Sequence, residues 1–377
     1  MFHLYLTVAY LYVLWRFVFP LPASRAVRAG VGVTLLLVSK YHLLNVVFFG
    51  NMWAPELPFV AVLLLGWAFC AFVLLTVFLL LLDLSWLLQR AFRRGGDRQA
   101  TQTRWHLGAA CAAAVLSAVG VSYAIDVPEV HRVDLEVSGL PPQFDGFRLV
   151  QLSDLHLSPL FPATWSRAVV DRTNALAPDL ILITGDLIDG STEARRSDVA
   201  PLGDLRAAHG VFGITGNHEY YFDYGQWRPV FTRLGIQMLD NAHAVVTRNG
   251  ARLTVAGITD AAAASYGHAS PDLATALRGA PADARTILMS HRPNGAAANA
   301  AQGVDVQLSG HTHGGMVRGL DLVARPANEG LVSRGYRVGS MQLYVSNGTG
   351  LWMGFPIRLG VPSETTEFRL RPAARQH

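Results

Sequence analysis

Gly310-His311-Thr312-His313-Gly314 follows a short apolar run, 304–308, that reads as a buried strand. Two imidazoles one residue apart therefore stand at a strand's C-terminal end. The same layout recurs four times upstream. Leu149-Val150-Gln151-Leu152-Ser153 runs into Asp154-Leu155-His156, and Ile181-Leu182-Ile183-Thr184-Gly185 runs into Asp186. Phe212-Gly213-Ile214-Thr215-Gly216 runs into Asn217-His218-Glu219, and Ile287-Leu288-Met289-Ser290 into His291. Singly, each has an ordinary reading as a turn, a helix cap or a surface histidine. Together, at the ends of strands that alternate with helical stretches, they converge on one site.

The ligand types narrow the chemistry. Asp, Asn and His donors suit borderline or hard divalent ions such as Mn, Fe or Zn. The chain's two cysteines, Cys70 and Cys111, lie inside apolar segments, which leaves no thiolate for a structural zinc site or a disulfide in the polar part. Seven candidate ligands (Asp154, His156, Asp186, Asn217, His291, His311 and His313) supply four to each of two metals if one carboxylate bridges. Such a centre activates water near neutral pH and neutralises the oxygens of a phosphate under attack.

The 377-residue chain is 51% hydrophobic and 15% charged, too apolar for one soluble domain of average composition. The excess sits in the first third. Four apolar runs, 2–19, 29–49, 57–82 and 107–125, approach or exceed the length needed to cross a bilayer as helices. Residues 1–126 are expected to be a four-helix transmembrane region, and 127–377 a globular domain. The first run lacks a basic leader and a clean cleavage site, so it reads as a span. Arg16 near its end is expected to snorkel. Lys40 and His42 in the second run are expected to pair within the bundle or lie near a helix end.

Arg16, Arg25 and Arg28 mark the first connection, and Arg90, Arg93, Arg94, Arg98 and Arg104 the third. Basic loops stay in the cytoplasm, so the globular domain is expected on the extracytoplasmic side of the inner or plasma membrane. The net charge of +4 follows from the same arginines, and no nucleic-acid partner is expected.

Asp154-X-His156, Gly185-Asp186, Gly216-Asn217-His218-Glu219, His291 and Gly310-His311-X-His313 resemble the signature of the calcineurin-like metallophosphoesterase superfamily. Asn347-Gly348-Thr349-Gly350 and Pro356-Ile357-Arg358 resemble its bacterial membrane-linked branch. The resemblance covers about 147–370 and implies a β-sandwich flanked by helices. It implies that Asp154, His156 and His313 hold one metal, that Asn217, His291 and His311 hold the other, and that Asp186 bridges. It leaves His218 as a proton donor to the leaving oxygen, or a positive group on the phosphate, and Glu219 as structural. Where that branch has Gly-Gly-Gln after the last His pair, this chain has Gly314-Gly315-Met316, which removes an amide's hydrogen bonds.

The resulting expectation is a membrane-anchored phosphodiesterase or pyrophosphatase with a phosphoester substrate, lipid-linked or phospholipid. Arg292, Arg318 and Tyr220 are candidate substrate contacts. The alternatives are an enzyme similar to the pyrophosphatases that cleave UDP-2,3-diacylglucosamine, and a sensor that binds a phosphorylated ligand without turnover.

Overall fold

The computed structural model describes residues 1–90 and 98–373. Arg93 and Arg94 of the basic connection lie outside the described residues. The chain forms two compact units, Met1–Tyr123 with Met353–Leu359, and Ala124–Trp352 with Gly360 onward.

The first unit is helical: α1 (Phe2–Val13, continued by a π-helical turn Leu14–Val18), α2 (Arg25–Ser39), α3 (Tyr41–Phe49), α4 (Phe59–Arg90) and α5 (Arg98–Ile125). Four spans are not clearly present. Two helices, within α4 and α5, are long and apolar enough to cross a membrane. A third crossing results only if α2 and α3, bent by 61°, count as one, and the helix Phe2–Val18 is shorter than the others. The break in the second run falls at Lys40 (φ −102°, ψ 9°). There the Ser39 hydroxyl bonds back to Leu36 O, and the Lys40 ammonium reaches Thr7 Oγ1 on α1. The Ser39 back-bond competes with a straight helix.

Arg16 is paired with an acid of α4. Its Nε donates to Asp83 Oδ2 at 2.8 Å, and Tyr12 donates to the same oxygen at 2.8 Å. The charge in the first run is therefore paired with an acid just past the third.

Residues 353–359 return to this unit. Arg358 N donates to Gly120 O at 2.9 Å, and the Phe355 ring lies edge-on to Phe69 at 6.1 Å. A Cβ on Gly120 would stand 2.5 Å from Ile357 Cγ1, so only glycine admits the segment at this depth on α5.

The second unit pairs two six-stranded mixed sheets. In chain order its elements are β1 (Val130–Val137), β2 (Arg148–Leu152), α6 (Ala163–Ala175), β3 (Leu180–Ile183), α7 (Arg196–Val199), β4 (Val211–Gly213), α8 (Asn217–Tyr221), α9 (Tyr224–Arg233), β5 (Ile236–Met238), β6 (Ala242–Arg248), β7 (Ala251–Gly257), α10 (Leu273–Ala276), β8 (Arg285–Met289), α11 (Ala296–Ala301), β9 (Val306–Ser309), α12 (Asp321–Ala324), β10 (Arg334–Val338), β11 (Met341–Val345) and β12 (Thr365–Pro372). One sheet runs β1-β12-β2-β3-β4-β5 and the other β10-β11-β9-β8-β7-β6. The strands that end in candidate ligands, β2, β3 and β4 in one sheet and β8 and β9 in the other, pair in parallel within each sheet.

Alternate residues define the core. Leu149, Leu180, Leu182 and Phe212 face Leu253, Val255, Ile287, Met289, Val306 and Leu308 between the sheets. Behind the second sheet, Leu288, Leu343 and Val345 pack under Ala276 of α10 and Ala296 of α11. Toward the ligand-bearing ends the apolar core gives way to hydrogen bonds. Buried Gln151 donates to Thr184 Oγ1 at 2.8 Å and to Ser309 O at 3.0 Å, tying one sheet to the other.

α7 passes into a 3-10 turn, Ala200–Asp204, rather than a longer α-helix. Pro201 and Gly203 explain this, since neither sustains a helix interior.

Candidate metal centre

The strand ends deliver their side chains through strained backbone. Asp154 (φ 54°), His156 (44°), Asp186 (54°), His311 (70°), His313 (49°) and Met316 (61°) all adopt positive φ. Non-glycine residues occupy this region at a cost of about 1–3 kcal/mol each, and such strain clusters at functional sites. The turn after β3 also needs Gly185 (φ 94°), where a Cβ would meet Gly216 N at 2.6 Å and His291 Nδ1 at 2.7 Å.

Asp186 is the centre of the cluster. Its Oδ2 lies 3.6 Å from His156 Nε2 and 3.2 Å from His291 Nε2. Its Oδ1 accepts from His218 N at 2.9 Å. The far side of each imidazole is fixed. His291 Nδ1 sits 2.8 Å from Thr184 O, and His156 Nδ1 sits 3.2 Å from Asp189 Oδ1. A ring nitrogen that donates to an oxygen leaves the other nitrogen with its lone pair, the arrangement typical of metal-ligating histidine. Both Nε2 atoms are buried without a hydrogen-bond partner. Two ligands about 2.1 Å from one cation stand about 3–3.5 Å apart, close to these separations. The donor set thus fits divalent cations on either side of Asp186.

Two ligand groups form around that axis. Donor atoms of Asp154, His156 and His313 lie within 4.8 Å of one another, as do those of Asp186, His291 and His311. The His311 amide donates to both oxygens of Asp154, at 3.0 and 3.2 Å, and the Ser153 hydroxyl donates to Oδ2 at 2.6 Å. Asn217 is buried at the start of α8. Its Oδ1 accepts from Arg292 Nη2 at 3.2 Å, and His311 Nε2 accepts from Arg292 Nη1 at 3.0 Å. These two lone pairs therefore already face a positive charge, which Asp260 holds in place through Arg292 Nε at 2.8 Å.

The field of the acids sets the protonation of the histidines. Burial disfavours the charged form of His218, but Asp189 and Asp186 outweigh it and raise the pKa to about 9. Burial also opposes charge on His291, and Asp186 followed by Asp154 lifts it to about 10. For Asp186, burial favours the neutral acid, yet His291 and His218 hold it well below the usual carboxylate range. His311 is lowered by burial, His291 and Arg292. A pocket that draws protons onto two histidines in this way also draws cations.

Glu219 holds backbone. Its carboxylate accepts from the amides of Gly216 (2.6 Å), Leu187 (2.7 Å) and Asp186 (3.0 Å), so it clamps two ligand turns together. Burial and the charge of Asp186 push its pKa up to about 7. The residue that orients His218 is Asp189, whose Oδ1 lies 2.5 Å from His218 Nδ1. Sequence reasoning passed over it. The available signal was a second acid three residues beyond Asp186 in Asp186-Leu187-Ile188-Asp189, an otherwise apolar stretch. Asp260, which anchors Arg292, was missed too, although it follows β7 as the ligands follow their strands.

The candidate substrate contacts separate. Arg292 is at the cluster. Tyr220 is not; it is 2% exposed, its hydroxyl is 2.8 Å from Thr215 Oγ1, and its ring packs on Tyr224 and His268. The helical turn sends the next residue toward the site instead, and Tyr221 lies 5.0 Å from the His218 ring. Arg318 is exposed beside Gly360 and forms no ion pair with the cluster among the described residues.

Two sheets whose strand ends pool Asp, Asn and His around one buried carboxylate define a metallophosphoesterase fold. The calcineurin-like phosphoesterase family model matches residues 147–315. A metallophosphoesterase of Bacillus subtilis is 31% identical over 279 residues, covering 70% of this chain and 94% of that protein. The chain belongs to the calcineurin-like metallophosphoesterase family. It is also similar to a protein of Bos taurus described as a transmembrane protein with metallophosphoesterase domain, at 36% identity over 270 residues, 69% of this chain and 61% of that protein. A Danio rerio protein with the same description matches at 36% over the same shares. The chain thus spans only 61% of the length of these two relatives.

Proposed function

We propose that the chain is a membrane-anchored, metal-dependent phosphoester hydrolase acting on a lipid-linked phosphoester or phospholipid at the membrane surface. The observation that carries the hydrolase reading is the pair of oriented, buried His Nε2 atoms facing Asp186 Oδ2 from two sides. In this reading Asp154, His156 and His313 hold one divalent cation, Asn217, His291 and His311 a second, and Asp186 both. Mn, Fe and Zn match the oxygen and nitrogen donors. Bound there, the cations supply Lewis acidity and activate water.

The protein's own groups do the rest. His218, kept protonated by Asp189, stands at the edge of the cluster to give its proton to the departing oxygen. Arg292 keeps Asp260 as an anchor, and its guanidinium, once released from His311 and Asn217, faces a phosphate oxygen. Arg292→Ala is expected to raise KM about tenfold with a smaller change in kcat, the mark of lost ground-state binding. An unchanged KM removes Arg292 from the substrate site.

The reading is tested by offering the full chain in detergent, with manganese, a phosphomonoester, a phosphodiester and a diphosphate. Turnover of at least one supports it. Metal binding with no turnover of any of them turns the reading to a phospho-ligand sensor.

Anchoring is supported by the apolar helices within α4 and α5. Sidedness follows from the arginines before α5 and holds whatever the number of earlier crossings, because the last span starts at that basic loop. A reporter fused after His377 should be active outside the cytoplasm. A cytoplasmic result overturns the sidedness and favours a nucleotide-linked diacyl sugar as substrate.

A further inference from the structure

The loop that follows the His pair carries the most exposed large aliphatic residues described in the second unit. Leu322 is 62% and Val323 76% exposed on the single turn of α12. The rest of that unit's described surface exposes few large apolar side chains, and none is an adjacent pair. Lone exposed aliphatics need no explanation, but a contiguous pair at a loop tip marks an interaction surface.

The neighbours indicate its partner. In the stretch 317–325, Arg318 and Arg325 against Asp321 leave a net charge of +1. Arg325 pairs with Asp321 at 3.2 Å, while Arg318 is exposed and makes no ion pair among the described residues. Aliphatic side chains at a tip with arginines beside them match a lipid surface: the apolar pair enters the acyl boundary and the guanidinium stays with the phosphates.

The root of the loop is held within the second unit, where Val317 pairs with Gly360. The other end of the loop is tied to the metal centre. A Cβ on Gly315, two residues after His313, would meet Asp321 Cα at 2.7 Å.

We propose that the Leu322–Val323 tip is a lipid-docking element that seats the rim of the metal centre on a membrane surface bearing phosphate headgroups. The proposal rests on the reading of the centre as a phosphoesterase with a lipid-linked substrate, and its test separates the two.

The full chain, with Cys70→Ser and Cys111→Ser, is reconstituted in nanodiscs of phosphatidylcholine and phosphatidylglycerol. It is labelled with an environment-sensitive fluorophore at Val323→Cys or, as a control, at Arg252→Cys. The label at 323 should emit at shorter wavelength than the control and be quenched by shallow spin-labelled lipids. Emission equal to the control overturns the proposal. So does a blue shift without lipid quenching, which means that protein covers the tip.

Leu322→Asp/Val323→Asp should then lower hydrolysis of a phosphodiester held in the bilayer about tenfold. Hydrolysis of a water-soluble nitrophenyl phosphodiester should stay unchanged. An equal loss on both substrates, or a loss on neither, contradicts docking. If the label is quenched while wild type cleaves only the soluble ester, docking stands and the lipid-linked substrate fails.

Discussion

Asp186→Asn should reduce phosphodiester hydrolysis about a thousandfold or more while leaving the fold intact. The argument rests on what the substitution keeps. Asparagine has the same size, and its Oδ1 can still accept from His218 N, the bond that measures 2.9 Å in the wild type. The Glu219 clamp on the 186 and 187 amides does not involve the side chain that changes. What is lost is the negative charge that lies within 3.6 Å of both His156 Nε2 and His291 Nε2. Charge stabilisation by a metal centre is worth several kcal/mol, and each ~1.4 kcal/mol is tenfold in rate. The assay is hydrolysis of a soluble nitrophenyl phosphodiester with added manganese, with thermal melting as the control for folding. Equal rates for variant and wild type would falsify the hydrolytic role of the cluster.

His218→Ala should cost about a hundredfold to ten-thousandfold on an ester with a poor leaving group, the usual range for a positioned acid. The loss should be much smaller with a nitrophenyl ester, whose leaving oxygen needs no proton. The Asp189 carboxylate 2.5 Å away keeps the ring charged and aimed, so Asp189→Asn should act in the same direction by about ten- to a hundredfold. His218 is buried, and a merely structural role would weaken all substrates alike. The comparison of leaving groups therefore decides the matter: parallel losses on both esters would mean that His218 packs and does not donate.

The site was more legible than the anchor, for physical reasons. A strand end followed by a ligand is a local pattern. Five of them in order placed Asp154, His156, Asp186, Asn217, His291, His311 and His313 at the ends of β2, β3, β4, β8 and β9. Asp189 escaped because the chain runs six residues beyond the end of β3, three past Asp186, before turning its carboxylate inward, beside the Leu157–Ile188 bridge. Tyr220 misled because a single turn of helix sends adjacent aromatics to opposite sides, and sequence cannot tell which one meets His218. In the helical unit, composition located the apolar runs but not their geometry. Arg16 and Asp83 are 67 residues apart and meet only after packing. The bend at Lys40 has no proline or glycine to announce it. Nothing local to 353–359 announces that this stretch packs against α5 at Gly120.

The account depends most on one property, that the buried acid and imidazoles hold divalent cations. The direct measurement is the metal content of the purified full chain after equilibration with manganese and removal of free ion. Two cations per chain are predicted, falling in Asp186→Asn. Phosphodiester hydrolysis by a chain that binds no cation at saturating manganese would contradict it.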